Sequence, residues 1–127
     1  MKSASEVEAL ERLVGQLKGL HAEIAQLAKK SPNDALNTFK LKLVNKVLEA
    51  GSTLLTGGYR PFEDFERFDT DDVPTNSDVT MILAQYMEQT ERFRSDNVVL
   101  EDYDWYYKVN GKASTLEAAP PTKIGQK

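Results

Sequence analysis

The stretch that decides the fold of this chain is EVEALERLVGQLKGLHAEIAQLAK, residues 6–29. It contains no proline, and its apolar residues recur at alternating spacings of three and four, the period of one face of an α-helix. Either Ser3 or Ser5 can cap its amino end, and Lys29 and Lys30 suit its carboxyl end. The stripe comprises Val7, Leu10, Val14, Leu17, His21 and Ile24, widened by Leu13, Leu20 and Leu27. A stripe this broad predicts a core-facing helix, and we also expect a homodimer through this first helix.

A second helix is predicted from Ser31 as the cap, with Pro32 at its first position and Asp34 three residues after the cap. Its apolar residues form two adjacent seams, which indicates a central helix with two neighbours. Gly57 and Gly58 end it. One seam is Leu36, Phe39, Leu43, Val47, Ala50 and Leu54, and the other is Leu41, Val44, Leu48, Gly51 and Leu55. We predict that the first two helices form an antiparallel hairpin and that a third helix packs on the second seam.

That third helix is predicted after Pro74 and ends near Asp96. Before it, three phenylalanines recur at every third position and predict one or two helical turns laid over the core. They are Phe62, Phe65 and Phe68.

Beyond the third helix the pattern changes to alternation, and Asn110-Gly111 is the strongest short hairpin signal. Residues 103–116 therefore predict either a small β-hairpin or an aromatic extension of the third helix. We expect residues 118–127 to be a disordered tail. The predicted fold is a mainly α, three-helix bundle, a helical hairpin plus a third helix, in a single helical domain of residues 1–117.

Composition excludes several classes of protein. The 127 residues include no cysteine and one histidine, so disulfides, thiol nucleophiles and His-rich metal sites are excluded. The longest apolar run, residues 81–84, is far shorter than the roughly 20 residues that span a bilayer. Residues 59–110 carry thirteen Asp and Glu but only five Lys and Arg. Because the sequence has no concentrated basic face, we do not expect nucleic acid to be a partner. We expect a cytoplasmic protein that does not bind membranes.

Acidic residues at a spacing of three provide the candidates for a metal site. Such a pair lies on one helical face, and clustered carboxylates favour a hard cation such as Mg²⁺ or Ca²⁺, with Mg²⁺ as the cofactor of this alternative. The four candidates are Glu63, Glu66, Glu88 and Glu91. They support an alternative function, a divalent-metal-dependent hydrolase of a phosphorylated small molecule. The leading interpretation has no cofactor.

An aromatic segment and an acidic segment are the candidate partner-binding sites. Trp and Tyr dominate protein interfaces, although these rings are equally suited to capping the helical core. The candidates are Tyr103, Trp105, Tyr106 and Tyr107, together with Asp69, Asp71 and Asp72. Because no phosphate loop or nucleophile motif is present, we predict a non-enzymatic interaction module (an adaptor, inhibitor or accessory subunit) with a protein partner, and the acidic segment favours a basic one. A second alternative is an acidic mimic of nucleic acid, acting through residues 63–72.

Overall fold

The structure is a computed structural model, and it describes residues 1–122. These residues form three α-helices and a three-stranded antiparallel sheet in the order β1-β2-β3. The helices are α1 (Ala4–Lys30), α2 (Thr38–Leu54) and α3 (Asn76–Asp96), and the strands are β1 (Val98–Glu101), β2 (Asp104–Val109) and β3 (Lys112–Glu117). Single 3₁₀ turns lie at Gly57–Tyr59 and Thr70–Asp72.

The predicted fold, a three-helix bundle closed by at most a hairpin, is wrong, because a complete sheet follows the helices. The chain is mainly α, but β1 adds a third strand on the far side of β2. The missed strand begins directly after α3, at Val98 and Val99, whose branched side chains favour strands. A strand of four residues has too short an alternation to stand out from the end of a helix.

The start of α2 also differs from the prediction. Asn37 caps the helix, because its side-chain oxygen accepts the backbone N–H groups of Phe39 at 2.8 Å and Lys40 at 3.2 Å. The residues before it, predicted as the first turn, instead pair with the start of α3. The N–H of Leu36 donates to the carbonyl of Pro74 at 2.9 Å. Tertiary pairing therefore prevails over the Ser-Pro start signal.

The helices pack differently from the predicted hairpin, since α1 lies mainly against α3 and less against α2. Helices α1 and α3 run antiparallel, because the Asn76 side chain at the start of α3 donates to the carbonyl of Ser31, just after α1. On α2 the second seam is buried, whereas Phe39 of the first seam is 68% exposed. Gly51 brings α2 close to α3, because a Cβ atom there would lie 3.0 Å from the Tyr86 ring.

The phenylalanine segment covers the core without forming the predicted helical turns. The ring of Phe65 packs edge-on against Phe68 at 5.2 Å and against Tyr86 at 6.4 Å between centroids. The Asn45 side chain binds both the N–H and the carbonyl of Phe68, at 2.9 and 3.0 Å. These contacts to α2 satisfy backbone groups that a helix would have used internally.

The sheet covers the amino-terminal part of α1. Its buried residues Val98 and Tyr107 pack with Val7 and Leu10. This contact accounts for the breadth of the α1 stripe within one chain, and the homodimer stays a prediction. In the part of the chain that the structure describes, no helix combines the length and apolarity needed to cross a membrane.

Candidate functional site

Two apolar or aromatic residues among residues 1–122 combine a left-handed backbone with exposure: Val73, which is 59% exposed, and Tyr103, which is 98% exposed and lies at the tip of the first hairpin. Glu101 pairs with Asp104 across the hairpin, so Asp102 and Tyr103 form a two-residue turn. Both turn residues have left-handed backbone, with φ of 49° and 75°. A turn with positive φ at both central residues is the type I′ turn, whose twist matches that of paired strands. We call residues 100–104 the hairpin tip.

Tyr103 is an outlier in its backbone conformation and in its exposure. A left-handed backbone costs an L-residue with a bulky side chain roughly 1–2 kcal/mol, and Asn, Asp or Gly are the residues that tolerate it. Burial does not offset this cost, because Tyr103 is 98% exposed. A strained residue with no packing role is an observation that calls for a functional explanation.

The chemistry of the tip is apolar at its centre and acidic around it. Leu100 is 52% exposed, next to the exposed Tyr103. The other three residues, Glu101, Asp102 and Asp104, are exposed acids. Residues 100–104 contain no Lys or Arg, so the tip has a local charge of −3.

The other predicted aromatic residues are separated from Tyr103. Tyr107 is buried and Trp105 half-buried, and both pack with the side chains of α1. Tyr106 is half-buried, and alternation along the strand places it on the opposite face of the sheet. The structure therefore brings the four rings into three different environments.

The predicted acidic residues Asp69, Asp71 and Asp72 lie far from the sheet. They precede α3, at the 3₁₀ turn Thr70–Asp72, whereas the sheet follows α3. A helix of 21 residues is about 30 Å long. All three aspartates are exposed at this other end, and the side chain of Asp69 caps the turn by accepting the N–H of Asp71 at 3.0 Å.

The four metal candidates are not brought together. Glu66 pairs with Arg60 at 3.2 Å, Glu88 lies 4.0 Å from Arg92, and Glu91 pairs with Arg94. Glu63 is exposed in the loop before α3. Among residues 1–122 no group of three His, Cys, Asp or Glu side chains is arranged to hold a metal ion.

A second candidate site is a cavity of about 630 Å³ between α1 and α3, partly open to solvent. Its roof is formed by Ala119, Pro120 and Thr122, which belong to the predicted C-terminal tail. Arg94 holds this segment by donating to the carbonyls of Ala119 at 2.9 Å and Pro120 at 2.7 Å. Ser95 and Thr122 exchange two further hydrogen bonds through the Ser95 hydroxyl. Residues 123–127 of the predicted tail lie outside the described residues.

Arg94 and Glu91 form the charged pair that supports this roof. Burial alone raises the pKa of the Glu91 carboxyl, but the hydrogen bonds and charge of Arg94 outweigh it and hold the pKa below its usual value. The same contacts raise the pKa of the Arg94 guanidinium against the effect of burial. Arg94 is only 6% exposed, so the pair fixes the side chain that holds the roof.

Sequence reasoning missed Arg94, Thr90 and Leu100 as site residues. Arg94 lies in the last turn of α3, where a cation is expected on a helix end. Its role depends on residues 118–122 folding back over 25 positions, which no local pattern signals. Leu100 could have been found only by recognising β1.

Comparisons of this chain with protein-family models, with curated proteins and with solved structures find no match.

Proposed function

We propose that this protein is a non-enzymatic interaction module that binds a basic protein partner through the hairpin tip, residues 100–104. The observation that carries the proposal is Tyr103, a ring held 98% exposed on a left-handed backbone. Tyrosine is one of the residues that dominate interface energetics, because it buries a large area with few rotors.

The neighbours of Tyr103 suit the same role. Leu100 extends the apolar surface beside the ring, and three carboxylates surround it. Binding hot spots combine a central apolar anchor with a polar rim. Acidic rims favour a partner with Lys and Arg around an apolar pocket and accelerate its association at low salt.

The position of the tip and its tyrosine distinguish this proposal from the acidic mimic. The mimic would act through residues 63–72, which lie near the start of α3 rather than at the tip. An interface centred on a tyrosine keeps part of its affinity at high salt, whereas one made of carboxylates alone does not.

The test is capture of partners from a lysate of the source cell on immobilised protein. Wild type and Tyr103→Gly are compared, with Phe39→Ala as the matched control. Phe39 is an exposed aromatic residue at the other end of the molecule. We expect Tyr103→Gly to lose at least tenfold of the captured partner and Phe39→Ala to lose none.

Two results would contradict the proposal. Equal capture by wild type and Tyr103→Gly would show that the tip does not make the contact. Failure of the folded wild type to capture any protein at low salt would show that the protein is not an interaction module of this kind.

A further inference from the structure

The cavity between α1 and α3 is lined by both apolar and charged side chains. Its volume of about 630 Å³ falls within the roughly 300–1,000 Å³ of small-molecule sites. Val14 and Leu17 of α1 and Met87 of α3 form the apolar part. Residues 119, 120 and 122 close it from above.

Three acidic residues line this cavity, Glu11, Glu88 and Glu91, and three basic residues lie in its wall or pair with it, Lys18, Arg94 and Arg92, so the acidic and basic charges are equal in number. Glu91 pairs with Arg94. Burial raises the pKa of the Glu91 carboxyl, and Arg94 and the nearby charge of Lys18 lower it. Glu88 is paired with Arg92. Since the charged groups compensate each other, a ligand needs no net charge to enter.

One polar group of the cavity has no such compensation. Thr90 is 1% exposed and lines the cavity, and its hydroxyl has no hydrogen-bond partner within residues 1–122. An unpaired buried hydroxyl destabilises a fold, and a valine would fill the same space without that cost. Packing therefore gives no reason for a hydroxyl at this position.

We propose that the cavity binds a small uncharged molecule with an apolar body and one hydroxyl or carbonyl group, which hydrogen-bonds to Thr90. The apolar body contacts Val14, Leu17 and Met87. The backbone segment held by Arg94 covers the bound molecule. The cavity does not include the hairpin tip, so a test of this ligand site is independent of the proposed function.

The experiment uses N-phenyl-1-naphthylamine, an uncharged apolar fluorophore with one N–H group, as the probe. Its fluorescence is expected to rise on binding to the wild type. 1-Octanol is expected to displace it at concentrations at least tenfold lower than octanoate or octylamine, which carry charges of either sign on the same chain length. Equal or tighter binding of either charged compound would overturn the assignment of an uncharged ligand.

Two pairs of variants locate the site. Thr90→Val is expected to weaken 1-octanol about fivefold, the value of one neutral hydrogen bond, whereas Thr80→Val, on the same helix but outside the cavity, is expected to leave it unchanged. Met87→Trp, which fills the cavity, is expected to abolish the fluorescence rise, unlike the exposed Met81→Trp. No fluorescence rise in the wild type, unchanged affinity in Thr90→Val, or probe binding by a folded Met87→Trp would each overturn the proposal.

Discussion

The two turns of the sheet have similar backbone φ angles but different residues. At the β2–β3 turn, Asn110 and Gly111 have φ of 55° and 78°. At the β1–β2 turn, Asp102 and Tyr103 have φ of 49° and 75°. Asn-Gly is the preferred pair for this geometry, whereas a tyrosine in the second position is strained.

The difference separates what the fold requires from what it does not. The second turn contains the residues that make a tight hairpin stable. The first turn accepts a strained, exposed tyrosine that contributes little to packing. Residues that violate local backbone preferences occur mainly at functional sites. This contrast between the two turns is the basis for proposing that the first turn makes the partner contact.

The hairpins also differ at their bases. The chain leaving β3 is fastened to α3 by Arg94 and Ser95, and the backbone N–H of Ala118 donates to the carbonyl of Trp105 at 2.9 Å. The tip of the first hairpin projects with exposed residues on both strands. The second hairpin is therefore tied to α3, whereas the tip of the first is exposed to solvent.

The largest expected effect on the free energy of unfolding comes from removing the Arg94 side chain, which holds the chain after β3 against α3. Arg94→Met is expected to lower the free energy of unfolding by about 3 kcal/mol, because it leaves Glu91 and two carbonyls without their buried partner. Urea unfolding measures the change. The control is Arg92→Met, whose exposed pair with Glu88 is worth at most about 0.5 kcal/mol. Equal effects of the two variants would show that Arg94 does not anchor the segment.

The next effect comes from giving the second turn the chemistry of the first. Gly111→Tyr is expected to destabilise the protein by about 1–2 kcal/mol, since φ at this position is left-handed. Lys112→Tyr places the same ring on the neighbouring strand residue and is expected to change stability little. A Gly111→Tyr protein as stable as the wild type would remove the argument that Tyr103 is strained.

The reverse exchange is expected to stabilise the protein. Tyr103→Gly relieves the left-handed strain and is expected to raise the free energy of unfolding by about 1 kcal/mol. Tyr103→Ala keeps a Cβ atom and therefore the strain, so it is expected to give no comparable gain. The same stability for both variants would place the effect in the side chain and not in the backbone.

The smallest effect concerns acidification and the base of the second hairpin. The pKa of Glu91 is lowered in the folded protein from its ordinary value of 4.5. Its contribution to stability is therefore fully present above about pH 4.5 and is lost as the pH falls through the lower folded-state pKa. Urea unfolding at a series of pH values is expected to show a smaller loss below pH 4.5 in Glu91→Gln than in the wild type. Parallel profiles would contradict the pairing.

Local sequence patterns predicted the parts of this fold that local interactions determine. The long amphipathic α1 is present, and α3 begins after Pro74 as predicted, where the structure shows a complete capping box of Thr75 and Asp78. The hairpin at Asn110 and Gly111 also follows from local turn chemistry.

What the patterns missed depends on contacts between distant residues. The start of α2 is set by pairing with residues near Pro74, and the roof of the cavity is set by Arg94. The sequence marked Tyr103 as a candidate contact, but it grouped the residue with Trp105 and Tyr107, which pack inward. The strand register, which places Tyr103 in the turn and Trp105 and Tyr107 in β2, distinguishes the exposed ring from the buried ones.

The most direct test of the central claim is to measure stability and partner capture together on Tyr103→Gly. We expect this variant to unfold at a higher urea concentration than the wild type and to capture at least tenfold less partner. A variant that is more stable and still captures the partner fully would contradict the claim, because the strained tyrosine would then have no role in binding.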